Sequence, residues 1–196
     1  MNIATMFTFS RILVAPFFAV FFITAHNEHK PVWLAGALIA AILIELSDMF
    51  DGMIARSRKE VTDFGKIFDP VADSVSRQTV FLSFLVTGVI PLWMYLVFFY
   101  RDAFVQLLRI VCASTGVVLA ARISGKVKAI VQAIATFAVL LAEYCVLADV
   151  SSVPAEIAGH SLSFWAVFGA ALVTFYSFFD YVIPNRASIM KMLERK

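Results

Sequence analysis

Four aspartates in the first half of the chain have the spacing of neighbours on a helix. Asp48 and Asp51 are three positions apart, and Asp69 and Asp73 are four positions apart. Both intervals place two side chains on one face of an α-helix. Carboxylates gathered this closely repel one another, and a hard cation such as Mg²⁺, Mn²⁺ or Ca²⁺ relieves the repulsion. Neither Cys nor His lies nearby, which argues against zinc.

Small and basic residues around the two pairs fit a phosphorylated ligand. Gly52, Ala55 and Gly65 lie beside the aspartates, and such small residues let a bulky ligand approach the backbone. The guanidinium of Arg56 can bind two phosphate oxygens at once. These residues indicate a diphosphate site that uses metal ions. The alternative is a set of salt bridges to nearby Lys and Arg, which would not require four aspartates at helical spacing.

The elements that position these residues are predicted from composition. The 196 residues are 61% hydrophobic and only 15% charged, whereas soluble domains carry about 25% charged residues. This excludes water-soluble, disordered and disulfide-stapled classes, and a net charge of +2 does not indicate a nucleic-acid partner. We predict an all-α integral membrane protein with a single membrane-embedded domain over residues 1–196.

Six stretches are apolar and long enough to cross a bilayer, which takes about 20 residues. Residues 1–11 are more polar and predict an interfacial helix that opens the first span, with Arg11 toward the headgroups. The predicted spans are 8–25, 32–55, 67–90, 92–121, 127–148 and 161–183.

The basic residues predict the orientation of these spans. With six spans, twelve of the sixteen Lys and Arg residues fall on one side, which is then the cytoplasmic side. Both termini would be cytoplasmic, and the four aspartates would lie at the inner ends of spans two and three. We expect a multi-pass protein of a bacterial-type inner membrane.

Two arginines within predicted span four need an anionic partner or a wet cavity. Together with two lysines at the start of span five, they predict a basic pocket for an acceptor that carries phosphate. The pocket residues are Arg101, Arg109, Lys126 and Lys128. The alternative for the arginines is an ion pair with Asp102 or Glu143. The alternative for the lysines is ordinary enrichment of positive charge on the inner side.

The aspartate pattern resembles the signature of the CDP-alcohol phosphotransferases at all eight fixed positions. Those positions are Asp48, Asp51, Gly52, Ala55, Arg56, Gly65, Asp69 and Asp73. The resemblance implies six transmembrane helices, cytoplasmic termini and a homodimer. It also implies transfer of a substituted phosphoryl group from a CDP-linked donor to an alcohol, with release of CMP.

The same resemblance implies roles for individual residues. The four aspartates would hold two divalent ions, Mg²⁺ or Mn²⁺, and Asp73 would also take the proton from the attacking hydroxyl. The remaining positions of the signature would line the CDP site: Gly52, Ala55, Arg56 and Gly65.

Flanking residues resemble one branch of the family, in which the donor is CDP-diacylglycerol and the acceptor is sn-glycerol 3-phosphate. The similar segments are 2–11, 64–73, 101–102 and 125–128. In that branch basic residues on spans four and five bind the acceptor phosphate, a role that we carry to the four pocket residues. One departure is Ser74, where the branch commonly has Lys. Arg77, four positions after Asp73, is a candidate replacement.

Two other interpretations of the sequence stay open. A relative in the same family could use a different acceptor, such as inositol phosphate or a free alcohol. A cation transporter or channel could also use intramembrane aspartates, although here they cluster at one face of the membrane beside Gly52 and Arg56.

Overall fold

A computed structural model of the protein describes residues 3–58, 63–114, 123–150 and 156–193. Within these ranges, the side chains of 3–5, 7, 51–58, 63–67, 113–114, 187–188 and 191–193 lie outside the description. The described residues form six helices and one short hairpin. The helices are α1 (Ile3–Glu28), α2 (Val32–Arg58), α3 (Asp63–Val86), α4 (Leu92–Ser114), α5 (Ile123–Leu147) and α6 (Leu162–Leu193).

Each predicted span falls on one of these helices, and turn chemistry explains the ends. Gly88 has a φ of +77° and Pro91 directly precedes α4. A left-handed Gly ends a helix readily and Pro is well placed before the next one, so α3 ends earlier than the predicted residue 90. The last part of the predicted span 92–121 lies outside the described residues.

The loop between α5 and α6 contains a two-stranded element that an all-α prediction does not include. Strand β1 (Glu156–Ile157) pairs antiparallel with β2 (His160–Ser161). The two turn residues, Ala158 and Gly159, both have positive φ, which is the requirement of a type I′ turn. The indole of Trp165 donates to the carbonyl of Ile157, so the hairpin is attached to the beginning of α6.

Four of the six described helices are long and apolar enough to cross a membrane: Thr8–Glu28, Val32–Phe50, Ile123–Leu147 and Leu162–Arg186. Their outward side chains include large apolar residues such as Leu13, Phe17 and Leu141, which are more than 60% exposed. Large apolar side chains exposed along helices of this length are covered by lipid rather than by water. The chain is therefore a membrane protein. In α3 and α4, charged residues such as Arg77 and Arg101 lie within the apolar run, so neither described helix contains such a stretch.

The start of the chain differs from its prediction. Helix α1 is continuous from Ile3 to Glu28, so no separate interfacial helix precedes the first span within the described residues. Arg11 is only 1% exposed and faces the protein interior. Its predicted orientation toward the headgroups is wrong, because Arg11 forms ion pairs with carboxylates of two other helices.

The core explains how α1 comes to lie against both aspartate-bearing helices. Helix α1 packs mainly on α2 and α3, while α6 packs on α5 and α4. Phe18 and Phe22 of α1 meet Phe84 of α3 in a fully buried aromatic cluster. Small residues of α2, including Ala37 and Gly36, let the α1 and α2 backbones approach closely, as is common between membrane helices.

This close approach predicts the effect of a single methyl group. A Cβ at Gly36 would lie 2.8 Å from Cγ of Phe21, so Gly36→Ala requires a shift of α1 or of the Phe21 ring. We expect it to lower the free energy of unfolding by about 1–3 kcal/mol. The measurement is denaturant unfolding of the detergent-solubilised protein.

Gly169→Ala in α6 is the matched control, because a Cβ there meets no atom within 4 Å. Its only expected effect is a gain in helix propensity of up to about 1 kcal/mol. An equal loss of stability in both variants would show that the contact with Phe21 is not the cause.

Candidate active site

Three of the four predicted aspartates are brought together by contacts with α1. One guanidinium nitrogen of Arg11 lies 2.8 Å from Oδ1 of Asp48 and 3.6 Å from Oδ1 of Asp73. One helical turn earlier, the hydroxyl of Thr8 donates to Oδ1 of Asp69 at 2.9 Å. Helix α1 therefore lies against the aspartates of α2 and of α3. The side chain of Asp51 lies outside the described residues.

The chemistry of this aspartate cluster fits divalent cations. The side chains of Asp48 and Asp73 are 45% and 31% exposed, so their oxygens can be reached by an ion or a polar ligand. Carboxylate oxygens suit Mg²⁺ and Mn²⁺. Among the described side chains, no group of three or more His, Cys, Asp and Glu is arranged to hold a metal. Asp51, the fourth predicted ligand, has its side chain outside the described residues.

A second arginine, Arg77, contacts the same oxygen of Asp73 as Arg11. Nε of Arg77 donates to Oδ1 of Asp73 at 2.9 Å, as the four-residue spacing on α3 predicts. One terminal nitrogen of Arg77 donates to Oε1 of Glu45 at 3.3 Å and to the carbonyl of Ala129 at 3.2 Å. Glu45 is not among the residues predicted from the sequence, although it lies three positions before Asp48 and therefore on the same face of α2.

The residues predicted to line the CDP site belong to the end of α2 and the beginning of α3, which follow each other along the chain. Gly52, Ala55 and Arg56 belong to the last turns of α2, and Gly65 belongs to the first turn of α3. Their side chains lie outside the described residues. Their roles stay predictions.

The predicted basic pocket is organised by one buried carboxylate. Asp102 is 3% exposed, and its Oδ1 accepts from Nζ of Lys128 at 2.7 Å and from Arg101 at 3.0 Å. Its Oδ2 accepts from Ser74 and from Gln78 of α3. The alternative of an ion pair with Asp102 is thus observed for Arg101. A second bond from Nε of Arg101 goes to Ser177 of α6.

The other two predicted pocket residues, Arg109 and Lys126, do not share the carboxylate of Asp102 in the described structure. Arg109 is exposed, and its guanidinium lies over the ring of Tyr181 and donates to its hydroxyl at 3.3 Å. It lies eight residues beyond Arg101, which is about 12 Å along a helix. Lys126 is exposed on the first turn of α5. Glu143, the other partner considered for the arginines, instead pairs with His26 at 3.0 Å.

The aspartate cluster and the basic pair are adjacent. Asp73 belongs to the aspartate cluster. The next residue, Ser74, donates to Asp102, which pairs with the basic residues Arg101 and Lys128. On α5, Lys128 contacts Asp102 while the carbonyl of the next residue, Ala129, accepts from Arg77. A cluster of carboxylates therefore lies one residue along the chain from a pair of basic side chains, an arrangement that suits a reaction between two phosphorylated substrates.

Comparison with known proteins assigns the family. The model of the CDP-alcohol phosphatidyltransferase family matches residues 1–176. The chain belongs to this family. Its members are transferases that generally depend on divalent cations, in agreement with the carboxylate donors on α2 and α3.

Several relatives are similar over much or nearly all of the chain. One from Bacillus subtilis is 31% identical over 193 residues, covering 94% of this chain and 95% of the relative. One from Pectobacterium atrosepticum is 29% identical over 197 residues, covering 97% and 98%. One from Treponema pallidum is 31% identical over 137 residues, covering 65% and 63%. All three are named CDP-diacylglycerol–glycerol-3-phosphate 3-phosphatidyltransferase.

The geometry at Asp102 predicts a large effect of one isosteric change. Asp102→Asn leaves the buried Lys128 and the adjacent Arg101 without their shared anion. Removing one partner of a buried ion pair destabilises a protein by about 3–5 kcal/mol, and we expect a loss in this range on denaturant unfolding in detergent.

Asp180→Asn is the matched control, because the described partner of Asp180 is the neutral hydroxyl of Ser124. Its expected loss is about 0.5–1.5 kcal/mol. Equal losses for the two variants would contradict the assignment of Asp102 as the anion that holds two cations together.

Proposed function

We propose that the protein is a phosphatidylglycerolphosphate synthase, which transfers the phosphatidyl group of CDP-diacylglycerol to sn-glycerol 3-phosphate and releases CMP. The observation that carries this proposal is similarity over nearly the whole chain to relatives named for that reaction. The adjacency of an aspartate cluster and a buried basic pair supports it, because the donor is a diphosphate and the acceptor is itself a phosphate ester.

Asp48, Asp51, Asp69 and Asp73 would hold two divalent ions, Mg²⁺ or Mn²⁺. When bound, such ions neutralise the negative charge that develops on the diphosphate as the bond to CMP breaks. The chain itself orients the ligands of this site, since Thr8 fixes Asp69 while Arg11 fixes Asp48. Gly52, Ala55, Arg56 and Gly65 would line the site of the CDP moiety.

Asp73 would act as the general base. The proton of the acceptor hydroxyl passes to its carboxylate as the hydroxyl oxygen bonds to the phosphorus that carries diacylglycerol. The bond from that phosphorus to the bridging oxygen breaks, and CMP leaves with the electron pair. Both described ion pairs of Asp73, to Arg11 and Arg77, end on Oδ1, so Oδ2 would face the reacting hydroxyl.

Arg101, Arg109, Lys126 and Lys128 would bind the phosphate of the acceptor. Arg101 and Lys128 are oriented for this by Asp102. Arg109 is exposed near the C-terminal end of α4, and Lys126 is exposed near the N-terminal end of α5. Both would approach the phosphate from the aqueous side. Specificity for a phosphorylated acceptor follows, because Arg101 and Lys128 share the single negative charge of Asp102 and a free alcohol would not neutralise the remaining positive charge.

The membrane arrangement proposed with this function has six crossings, including α3 and α4. The domain would extend over residues 1–196, with both termini and the active site on the cytoplasmic side of a bacterial-type inner membrane. Membrane lipid would supply the donor to this site. We also propose that the protein is a homodimer, as the family resemblance implies.

The proposed reaction is tested with purified protein, CDP-diacylglycerol, labelled glycerol 3-phosphate and Mg²⁺ or Mn²⁺. We expect CMP and labelled lipid in equal amounts. Asp73→Asn should lower kcat by about 10²–10⁴-fold, the usual contribution of a general base. Glu143→Gln is the control, since Glu143 pairs with His26 at the other end of α5, and it should retain activity.

Normal turnover by the Asp73→Asn variant would contradict the assigned base. Cation flux in liposomes without any production of CMP would instead favour the transporter and overturn the proposed reaction.

The acceptor pocket is tested through the KM for glycerol 3-phosphate. Arg109→Ala should raise this KM about tenfold, the value of one charge-assisted hydrogen bond, with a smaller change in the KM for the donor. Lys30→Ala is the control, because Lys30 pairs with Glu28 at the opposite end of α1 from Arg11. An unchanged KM in Arg109→Ala would show that Arg109 does not bind the acceptor. Competition by inositol phosphate or glycerol would overturn the identity of the acceptor.

A further inference from the structure

A buried arginine connects Asp73 to a glutamate that the family signature does not include. Arg77 is 7% exposed and contacts three helices: Asp73 on its own helix, Glu45 on α2 and the carbonyl of Ala129 on α5. A charge this deeply buried is retained at a cost unless it is fully hydrogen-bonded. Because its Nε is aimed at Oδ1 of Asp73, the arrangement restricts the rotation of that carboxylate.

An arginine that orients the carboxylate of Asp73 also brings positive charge to a site that is proposed to bind cations. Arg11 and Arg77 place two positive charges on Oδ1 of Asp73, and positive charge near a carboxylate weakens its attraction for metal ions. Glu45 reverses this effect because it pairs with Arg77. Among the side chains joined by these ion pairs, Asp48 and Asp73 only balance Arg11 and Arg77, and Glu45 makes the sum negative by one charge. Asp69, which Thr8 contacts, adds to the negative charge of the cluster.

We propose that Glu45 and Arg77 form a positioning pair for the active site. Arg77 fixes Oδ1 of Asp73, and Glu45 offsets the charge of Arg77 so that the aspartate cluster stays negative enough to bind divalent cations. Neither residue is a catalytic residue, since each acts through Asp73. The inference rests on the proposed function, in which Asp73 is both metal ligand and base.

In this pair Glu45 acts on the net charge around Asp73, whereas Arg77 acts on the orientation of its carboxylate. A single variant and a double variant should therefore change different measured quantities. Glu45→Gln leaves Arg77 uncompensated and should weaken Mn²⁺ binding about tenfold, a typical effect of a residue behind a metal ligand. The double variant Glu45→Gln with Arg77→Gln removes both charges, so its Mn²⁺ affinity should return toward the wild-type value. Its kcat should nevertheless fall about 10–100-fold, because Asp73 has lost its orienting contact.

Mn²⁺ binding is measured by electron paramagnetic resonance in detergent without either substrate, and kcat and KM are measured separately. The KM for glycerol 3-phosphate should stay constant in both variants, because neither residue contacts Arg101 or Lys128 in the described structure. Glu143→Gln is the matched control. It disrupts another carboxylate pair of the membrane region and should change neither Mn²⁺ affinity nor kcat.

The proposal is overturned if Glu45→Gln binds Mn²⁺ as tightly as wild type, or if the double variant binds it as weakly as Glu45→Gln. A raised KM with unchanged kcat in the double variant also overturns it. If the double variant does not fold, Arg77→Lys replaces it. The lysine ammonium keeps the positive charge but lacks the several N–H donors with which the guanidinium reaches both Asp73 and Glu45. We therefore expect kcat to fall while the Mn²⁺ affinity is kept. An unchanged kcat overturns the proposal.

Failure of the positioning pair and failure of the proposed reaction are distinguishable. Mn²⁺ binding is measured without CDP-diacylglycerol or acceptor, so its dependence on Glu45 does not require turnover. Wild-type protein that binds Mn²⁺ but releases no CMP overturns the proposed function. Wild-type protein that releases CMP, with Mn²⁺ affinity unaltered in Glu45→Gln, overturns the pair alone.

Discussion

The proposed site depends on one arginine of α1 placed among carboxylates of two other helices. Asp48 on α2 and Asp73 on α3 repel each other, and unpaired charges at a membrane boundary are costly. Arg11 is almost fully buried and lies within ion-pair distance of both. It therefore lets α2 and α3 bring their acidic faces to the same place with α1 packed against each. The first helix is in this way a structural part of the aspartate cluster.

The second group of charges is coupled to the first through short stretches of backbone. Asp73 and Ser74 are consecutive on α3, as are Lys128 and Ala129 on α5, and in each case the two neighbours contact different clusters. A shift of either helix would therefore move both clusters together. For a transfer between two bound substrates this coupling is useful, because the reaction rate depends strongly on the distance and alignment of the reacting groups.

Local patterns predicted much of this, and tertiary contacts account for the rest. The apolar runs predict the helices. The aspartate spacing predicts which side chains share a face, since it matches the 3.6-residue period of an α-helix. The inward orientation of Arg11 does not follow, because an arginine near the end of a span can reach either headgroups or a buried partner. Arg101 and Arg109 lie on the same helix but are eight residues apart, so they contact different residues. Arg101 reaches Asp102, whereas Arg109 contacts Tyr181. Glu45 could have been noticed from its spacing to Asp48.

The distribution of charge also explains which helices depend most on their neighbours. Helices α3 and α4 contribute Asp69, Asp73, Arg101 and Asp102, and they are the two described helices without a sufficiently long apolar stretch. Helix α1 packs against α3, and α6 packs against α4. Arg11 of α1 and Lys128 of α5 add countercharges to Asp73 and Asp102, which also pair with arginines of their own helices. The apolar helices thus make it possible to keep charged helices within the fold. Because the same ion pairs serve packing and the proposed chemistry, a substitution in one of them should change stability and activity together.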